Sequence, residues 1–165
     1  MVYEADLNKS PDKLCDTNFV SPTAFHLLID RMRYPNAEFF VQRVEIPAMD
    51  IGGAPFSSPQ VSVTIAADAI TYSPLTLTFL IDEDFVNYKE IHDWMFEMVT
   101  EKHDYDKLRT LTLLVLTSHN NVARRFEFVG ASPVSLSSIP FDASSTSVEF
   151  LTASVTFNYS YFKMI

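Results

Sequence analysis

Cysteine and glycine are scarce in this chain: one cysteine and three glycines among 165 residues. The lone Cys15 closes no internal disulfide and supplies no multi-cysteine metal site. Nothing near it in sequence lowers its pKa, neither a histidine nor the start of a helix, so it is not a nucleophile of the usual kind. With only Gly52, Gly53 and Gly130, the chain holds no Walker loop, no G-x-G-x-x-G and no G-x-S-x-G. A backbone cradle for phosphate and a hydrolase elbow are excluded. Long apolar runs are missing too. The longest, Leu113 to Leu116, falls far short of the roughly 20 residues that a membrane-spanning helix needs. The opening MVYEADLNKSPDKL has no apolar h-region, so a secretory signal is not expected and folding in a cytoplasm is. Basic charge is thin: 12 Lys and Arg stand against 21 Asp and Glu, for a net charge of −9. Gripping a nucleic-acid backbone needs clustered cations. Arg124-Arg125 is the densest basic spot and reads as a strand-edge or subunit salt-bridge pair.

What is present is an ordinary folding sequence, 47% hydrophobic and 20% charged, of a length that suits one domain over residues 1–165. Residues 1–21 are polar and read as an extended N-terminal arm. Strands are expected over 23–31 and 38–46. Residues 47–60 contain Gly52, Gly53 and several prolines, the composition of a long loop or protruding hairpin. Alternation returns at 61–66 and at 75–81, where Leu75, Leu77, Phe79 and Ile81 share one face. Residues 85–102 show helical spacing: Phe85, Tyr88, Ile91, Trp94, Met95, Met98 and Val99 on one side, charges on the other. Strands 109–117 and 123–131 flank a turn at His119-Asn120-Asn121, and a looped stretch with Pro133 and Pro140 follows. Residues 152–162 alternate most cleanly, with Ala153, Val155, Phe157, Tyr159 and Tyr161 facing one way and Thr152, Ser154, Thr156, Asn158 and Ser160 the other. About seven strands with one packed helix make a mainly β protein, a sandwich or barrel.

The stretch LTLTFLIDED, 75–84, raises a chemical question. Asp82 and Asp84 are candidate ligands for a divalent ion, with His92 and Asp93 as further partners. They are also what the start of a helix calls for, because acidic side chains there meet unpaired N–H groups and the positive end of the dipole. Asp84 is the expected N-cap, with Asn87 in the place of a capping-box partner. That reading is preferred, since an oxygen-only metal loop needs a glycine turn or further ligands. The four histidines, His26, His92, His103 and His119, fall in different elements without ligand spacing. His103-Asp104 and Asp106 form a polar exit from the helix. No catalytic residue, metal ligand or cofactor is assigned.

The order of these elements resembles that of the tail tube proteins of contractile-tailed, T4-like bacteriophages. The resemblance covers about residues 20–162. It rests on the strand ending in VEIPAMDIGG, the block YSPLTLTFLIDEDFVNYKEIHDWM with Tyr88 and Trp94, the stretch FEFVGASPVSLSSIPFD, and the terminal VTFNYSYF. It implies a structural subunit, not an enzyme. Copies would form hexameric rings stacked into a hollow tube, four strands from each joining in an inner β-barrel, with the helix and long loop outside or between rings. The implied partners are further copies, a contractile sheath, a baseplate tube-initiator and a tail terminator. DNA would pass through the lumen without specific binding, and no membrane insertion is implied. The implied location is the virion tail, assembled in the bacterial host's cytoplasm. The same fold serves type VI secretion tubes and baseplate initiators, which stay open as alternatives, as does a metal enzyme built on residues 82–84.

Two features fit this resemblance independently. Exposed strand edges are a hazard that ring closure removes, and an acidic subunit offers a polyanion few places to stick. Met49, Ile51 and Phe56, beside Gly52 and Gly53, are more apolar than a solvated loop requires. Burial in an inter-subunit or inter-ring contact would account for them, as would folding back onto their own domain.

Overall fold

A computed structural model describes residues 19–29, 41–57, 62–100, 108–144 and 150–165. The expected arm (apart from residues 19–21), Cys15, His103, Asp104 and Asp106 lie outside those residues. Among the described residues the order is β1 (Phe25–Leu28), β2 (Val41–Glu45), β3 (Met49–Ser57), β4 (Ser62–Tyr72), β5 (Leu75–Leu80), α1 (Val86–Thr100), β6 (Arg109–Leu116), β7 (Val122–Leu136), β8 (Thr152–Asn158) and β9 (Tyr161–Met164). The fold is mainly β with one helix, as expected.

The strands form two antiparallel sheets that share β7. Its first half pairs with β6 on one side and β9 on the other, and β1 extends that sheet beyond β6. Its second half pairs with β8, followed by β5 and then β2. Pro133 therefore lies in a strand and not in a loop. Being buried and at the point where β7 has left β6, it withholds its missing N–H from no ladder partner on that side.

β8 and β9 are one continuous strand with a kink. Ser132 faces Asn158 before the kink and Val129 faces Tyr161 after it, in one register against β7. The kink is at Tyr159-Ser160, opposite Gly130. Gly130 has φ +69°, and a Cβ there would lie 2.9 Å from Ser160 Oγ. The Ser160 N–H is bonded to the Val129 carbonyl at 2.9 Å. Both strands change their inward parity at this corner: Phe126 and Phe128 give way to Ala131 and Pro133, and Phe157 gives way to Phe162. The simple alternation expected through residue 161 is thus corrected. Tyr161 is exposed and Phe162 packs inward, because the bend slips the pattern by one residue.

The core lies between the sheets and the helix. Leu75, Leu77 and Phe79 of β5 meet Ala153, Val155 and Phe157 of β8 in register, and all six are fully buried. Trp94 closes over them, its ring 5.6 Å from Phe157. On α1, Ile91 and Trp94 are buried, with Tyr88 and Met98 packed beside them. Val99, expected inside, is 74% exposed. At about 100° per residue, position 99 falls outside the narrow stripe through 87, 91, 94 and 98.

Phe157→Ala removes a fully buried ring and is expected to cost about 3–5 kcal/mol, read as a lower urea midpoint. Gly130→Ala is expected to lose about 1–2 kcal/mol from left-handed backbone alone, with Ser160 displaced in addition.

Candidate assembly surface

The sheet β2–β5–β8–β7 has two unlike faces. One is the core face just described. The other carries Arg43 and Glu45 on β2, Thr76 and Thr78 on β5, Thr152, Ser154 and Thr156 on β8, and Ser135 on β7. The register aligns them across the sheet: Glu45 with Thr76, Thr76 with Thr156, Thr156 with Ser135. Thr78 Oγ1 and Ser154 Oγ lie 3.2 Å apart. Arg43 and Glu45 form an exposed ion pair. Leu80, opposite Thr152, lies on the same side, so the face is built mostly of hydroxyls, with Arg43 matched by Glu45. Many of the described carboxylates sit elsewhere: Asp50 and Asp68 on β3 and β4, and Asp82, Glu83, Asp84, Glu90, Asp93 and Glu97 at the helix.

This sheet ends in two unpaired edges among the described residues. β2 is bonded to β5 alone, and the second half of β7 to β8 alone. Unpaired N–H and C=O groups along an edge are a template for a strand from another copy.

Of the two expected readings of this segment, a long loop or a protruding hairpin, residues 49–57 take the second. They form β3, which pairs with β4 in a two-stranded hairpin, because the register of Met49 and Ile51 against Tyr72 and Ile70 lets an alternating pattern continue. Gly52 sits where the register shifts, between the Ile51–Ile70 and Gly53–Ala66 pairs, and glycine is well suited to such an irregularity. Met49, Ile51 and Ile70 are 54%, 61% and 49% exposed. Phe56 stands opposite Val63 in β4. Sequence reading missed Ile70, although the VSVTIAADAI run around it could have been matched against the preceding segment as a hairpin partner.

The helix start is also different from the expectation. Lys89 N–H bonds to the Phe85 carbonyl at 2.9 Å, the first bond of the helix. Phe85, with φ +56°, therefore holds the cap position and Asp84 precedes it. The polar group that organises this turn is Asn87, which is buried. Its Nδ2 donates to the Leu80 carbonyl at 2.7 Å, and its Oδ1 accepts from the N–H groups of Tyr88 (2.8 Å) and Asp82 (3.3 Å). One amide thus ties the end of β5 to the first turn of α1.

Among the described residues no three of His, Cys, Asp or Glu come together as a metal site would require. Asp93 instead contacts Lys89 at 3.1 Å and His92 at 3.3 Å. Hydrogen bonds from Lys89 first and then His92 hold its carboxyl below the usual range. His26 and His119 lie on β1 and at the β6–β7 turn, away from the helix in the chain's topology. No described helix is long and apolar enough to cross a membrane.

An edge-bearing β-domain with an exposed apolar hairpin is the architecture of a self-assembling structural subunit. Residues 36–163 match the family described as T4-like virus tail tube protein gp19, and the chain belongs to that family of structural tube proteins. No curated protein matches the sequence. The fold is similar to a chain of the PVC sheath–tube complex of an extracellular contractile injection system in its extended state. That pair has a TM-score of 0.69 and 13% identity, over 94% of this chain and 97% of the other. It is also similar to a chain of the anti-feeding prophage tube-terminating cap, with a TM-score of 0.71, 10% identity, and coverage of 96% and 99%. Hcp1 from Flavobacterium johnsoniae shares it at a TM-score of 0.51 and 14% identity, over 88% and 94%.

Asn87→Ala leaves the Leu80 carbonyl and two N–H groups without their partner, and is expected to cost about 1–3 kcal/mol. Asp84→Ala is expected to stay within about 0.5 kcal/mol of the parent. Chemical denaturation of the two variants side by side checks the assignment.

Proposed function

We propose that the subunit joins its neighbours edge to edge, β2 of one copy against the second half of β7 of the next, closing hexameric rings. The rings stack through the β3–β4 hairpin into a hollow tube. The hydroxyl face of β2–β5–β8–β7 lines the bore, and DNA passes along it without specific binding. A contractile sheath, a baseplate tube-initiator and a terminator at the far end are the further partners, and the tail of a virion, assembled in the host bacterial cytoplasm, is the place. The observation that carries this reading is the four-stranded sheet itself. It has a buried apolar face, a face mostly of hydroxyls and, among the described residues, two free edges, so copies can continue it sideways while the wet face stays wet. Two details support it. Met49, Ile51 and Ile70 would lose their exposure in a ring-to-ring contact. Arg43, the cation of the hydroxyl face, is matched by Glu45, so the bore presents DNA with no counterion-releasing cluster.

Purified protein viewed in negative stain is expected to form long tubes with sixfold end views. Single rings that never stack would favour the initiator reading, and monomers at high concentration would overturn both. Ile51→Lys is expected to leave a folded subunit and to abolish stacking. Thr156→Lys places one new cation per subunit on the hydroxyl face. Tubes of that variant are expected to retain DNA and to release it as salt rises. Tubes with no gain in DNA retention would place the face elsewhere.

A further inference from the structure

The hairpin continues a ladder that begins in the main sheet. Glu45 faces Thr76 at the end of β2–β5, and Met49 faces Tyr72 at the start of β3–β4. One register runs through both, and it sets Pro47 opposite Pro74. The neighbouring Ala48–Ser73 pair is a hydrogen-bonded one, so Pro47 and Pro74 occupy a non-hydrogen-bonded pair, where prolines remove no ladder bond; the ladders on either side belong to separate sheets. Beyond the prolines the ladder resumes with the Ser73 N–H bonded to the Ala48 carbonyl at 3.0 Å. The hairpin is therefore a separate two-stranded sheet joined to the main one through the two segments of this junction.

The kink of the terminal strand spans this joint. Tyr159 Oη donates to the Ser73 carbonyl at 2.7 Å. The Tyr159 ring lies 6.0 Å from that of Tyr72, at the base of the hairpin, and 5.2 Å from that of the fully buried Phe128. Phe162, just past the kink, meets Tyr72 edge-on at 5.4 Å. One side of Tyr159 is thus anchored in the core while its hydroxyl and ring hold the chain leaving the hairpin. Burial, and secondarily Tyr72, raise the phenol's pKa.

We propose that the junction between the main sheet and the hairpin, at residues 46–48 and 73–75, is a joint and Tyr159 its latch, so that Tyr159 is a positioning residue that sets the angle of the hairpin. The consequence for assembly rests on the contact role of the hairpin given above; the latch itself does not. The test uses the full, unassembled chain with Cys15→Ser and spin labels at Asp68 on β4 and Glu83 before the helix, both exposed. Pulsed electron resonance reads the distance between them. Tyr159→Phe keeps the ring and removes the donor, and is expected to broaden the distance distribution at least about twofold, as a locally released segment does. Tyr72→Leu, which loosens the hairpin side of the contact, is expected to do the same. Tyr88→Phe, which removes a tyrosine hydroxyl on the helix, leaves the width unchanged. If both Tyr159→Phe and Tyr72→Leu keep the parent's width, the latch is overturned. Tube formation is then scored on the same variants. Broadening with loss of tubes upholds the latch and the hairpin contact together. Broadening with parental tubes upholds the latch and overturns the hairpin as the contact.

Discussion

The pairing of β7 with the terminal strand is the constraint from which the rest follows. It is the ladder present in both sheets. On one side of the corner it faces β6 and β1; on the other it faces β5 and β2. The corner exists because Gly130 takes a left-handed backbone opposite the Tyr159-Ser160 kink. Were the ladder straight, Phe126 and Phe128 could not share a core with Phe157.

From that corner the two roles of the domain separate. The β1–β6–β7–β9 sheet and the helix complete the core. The β2–β5–β8–β7 sheet keeps one face made mostly of hydroxyls, with Leu80 at its Thr152 end, and among the described residues it ends in unpaired backbone at both sides. Cross-strand pairs of Thr and Ser hold this face together without drawing in charge. The acids around the helix and on the hairpin belong to other elements, and Glu45 on the face is matched by Arg43, so the net charge of −9 says little about the field at the hydroxyl face itself. A whole-chain sum hides a division of labour between surfaces.

The periodic elements were legible in the sequence because their signal is local. LTLTFLI has one face for the core and one for water, and the buried set is what alternation demands. The helix was readable from Ile91 and Trp94 for the same reason. Three features were not legible, and each depends on a distant partner. The hairpin could not be told from a loop because its glycines and prolines suit either; only the register against Ile70 and Tyr72 decides for a strand. Tyr161 was placed inside because nothing local announces that Gly130 lies opposite the kink. Asp84 looked like the cap because carboxylates usually are, whereas the buried amide of Asn87 wins by serving both β5 and α1. Of the contact residues expected there, Met49 and Ile51 are exposed on the hairpin, Gly52 marks its irregularity, Gly53 resumes the pairing, and Phe56 faces Val63 further along.

The hydroxyl face has a dynamical consequence. Fixed cations spaced along a wall would divide the path of a polyanion into sites, each with a dwell time set by its ion pairs. Threonine and serine hydroxyls exchange hydrogen bonds with water at similar cost at every position. Where such a face borders a moving strand of DNA, the energy profile along the path is shallow, and water acts as the lubricant.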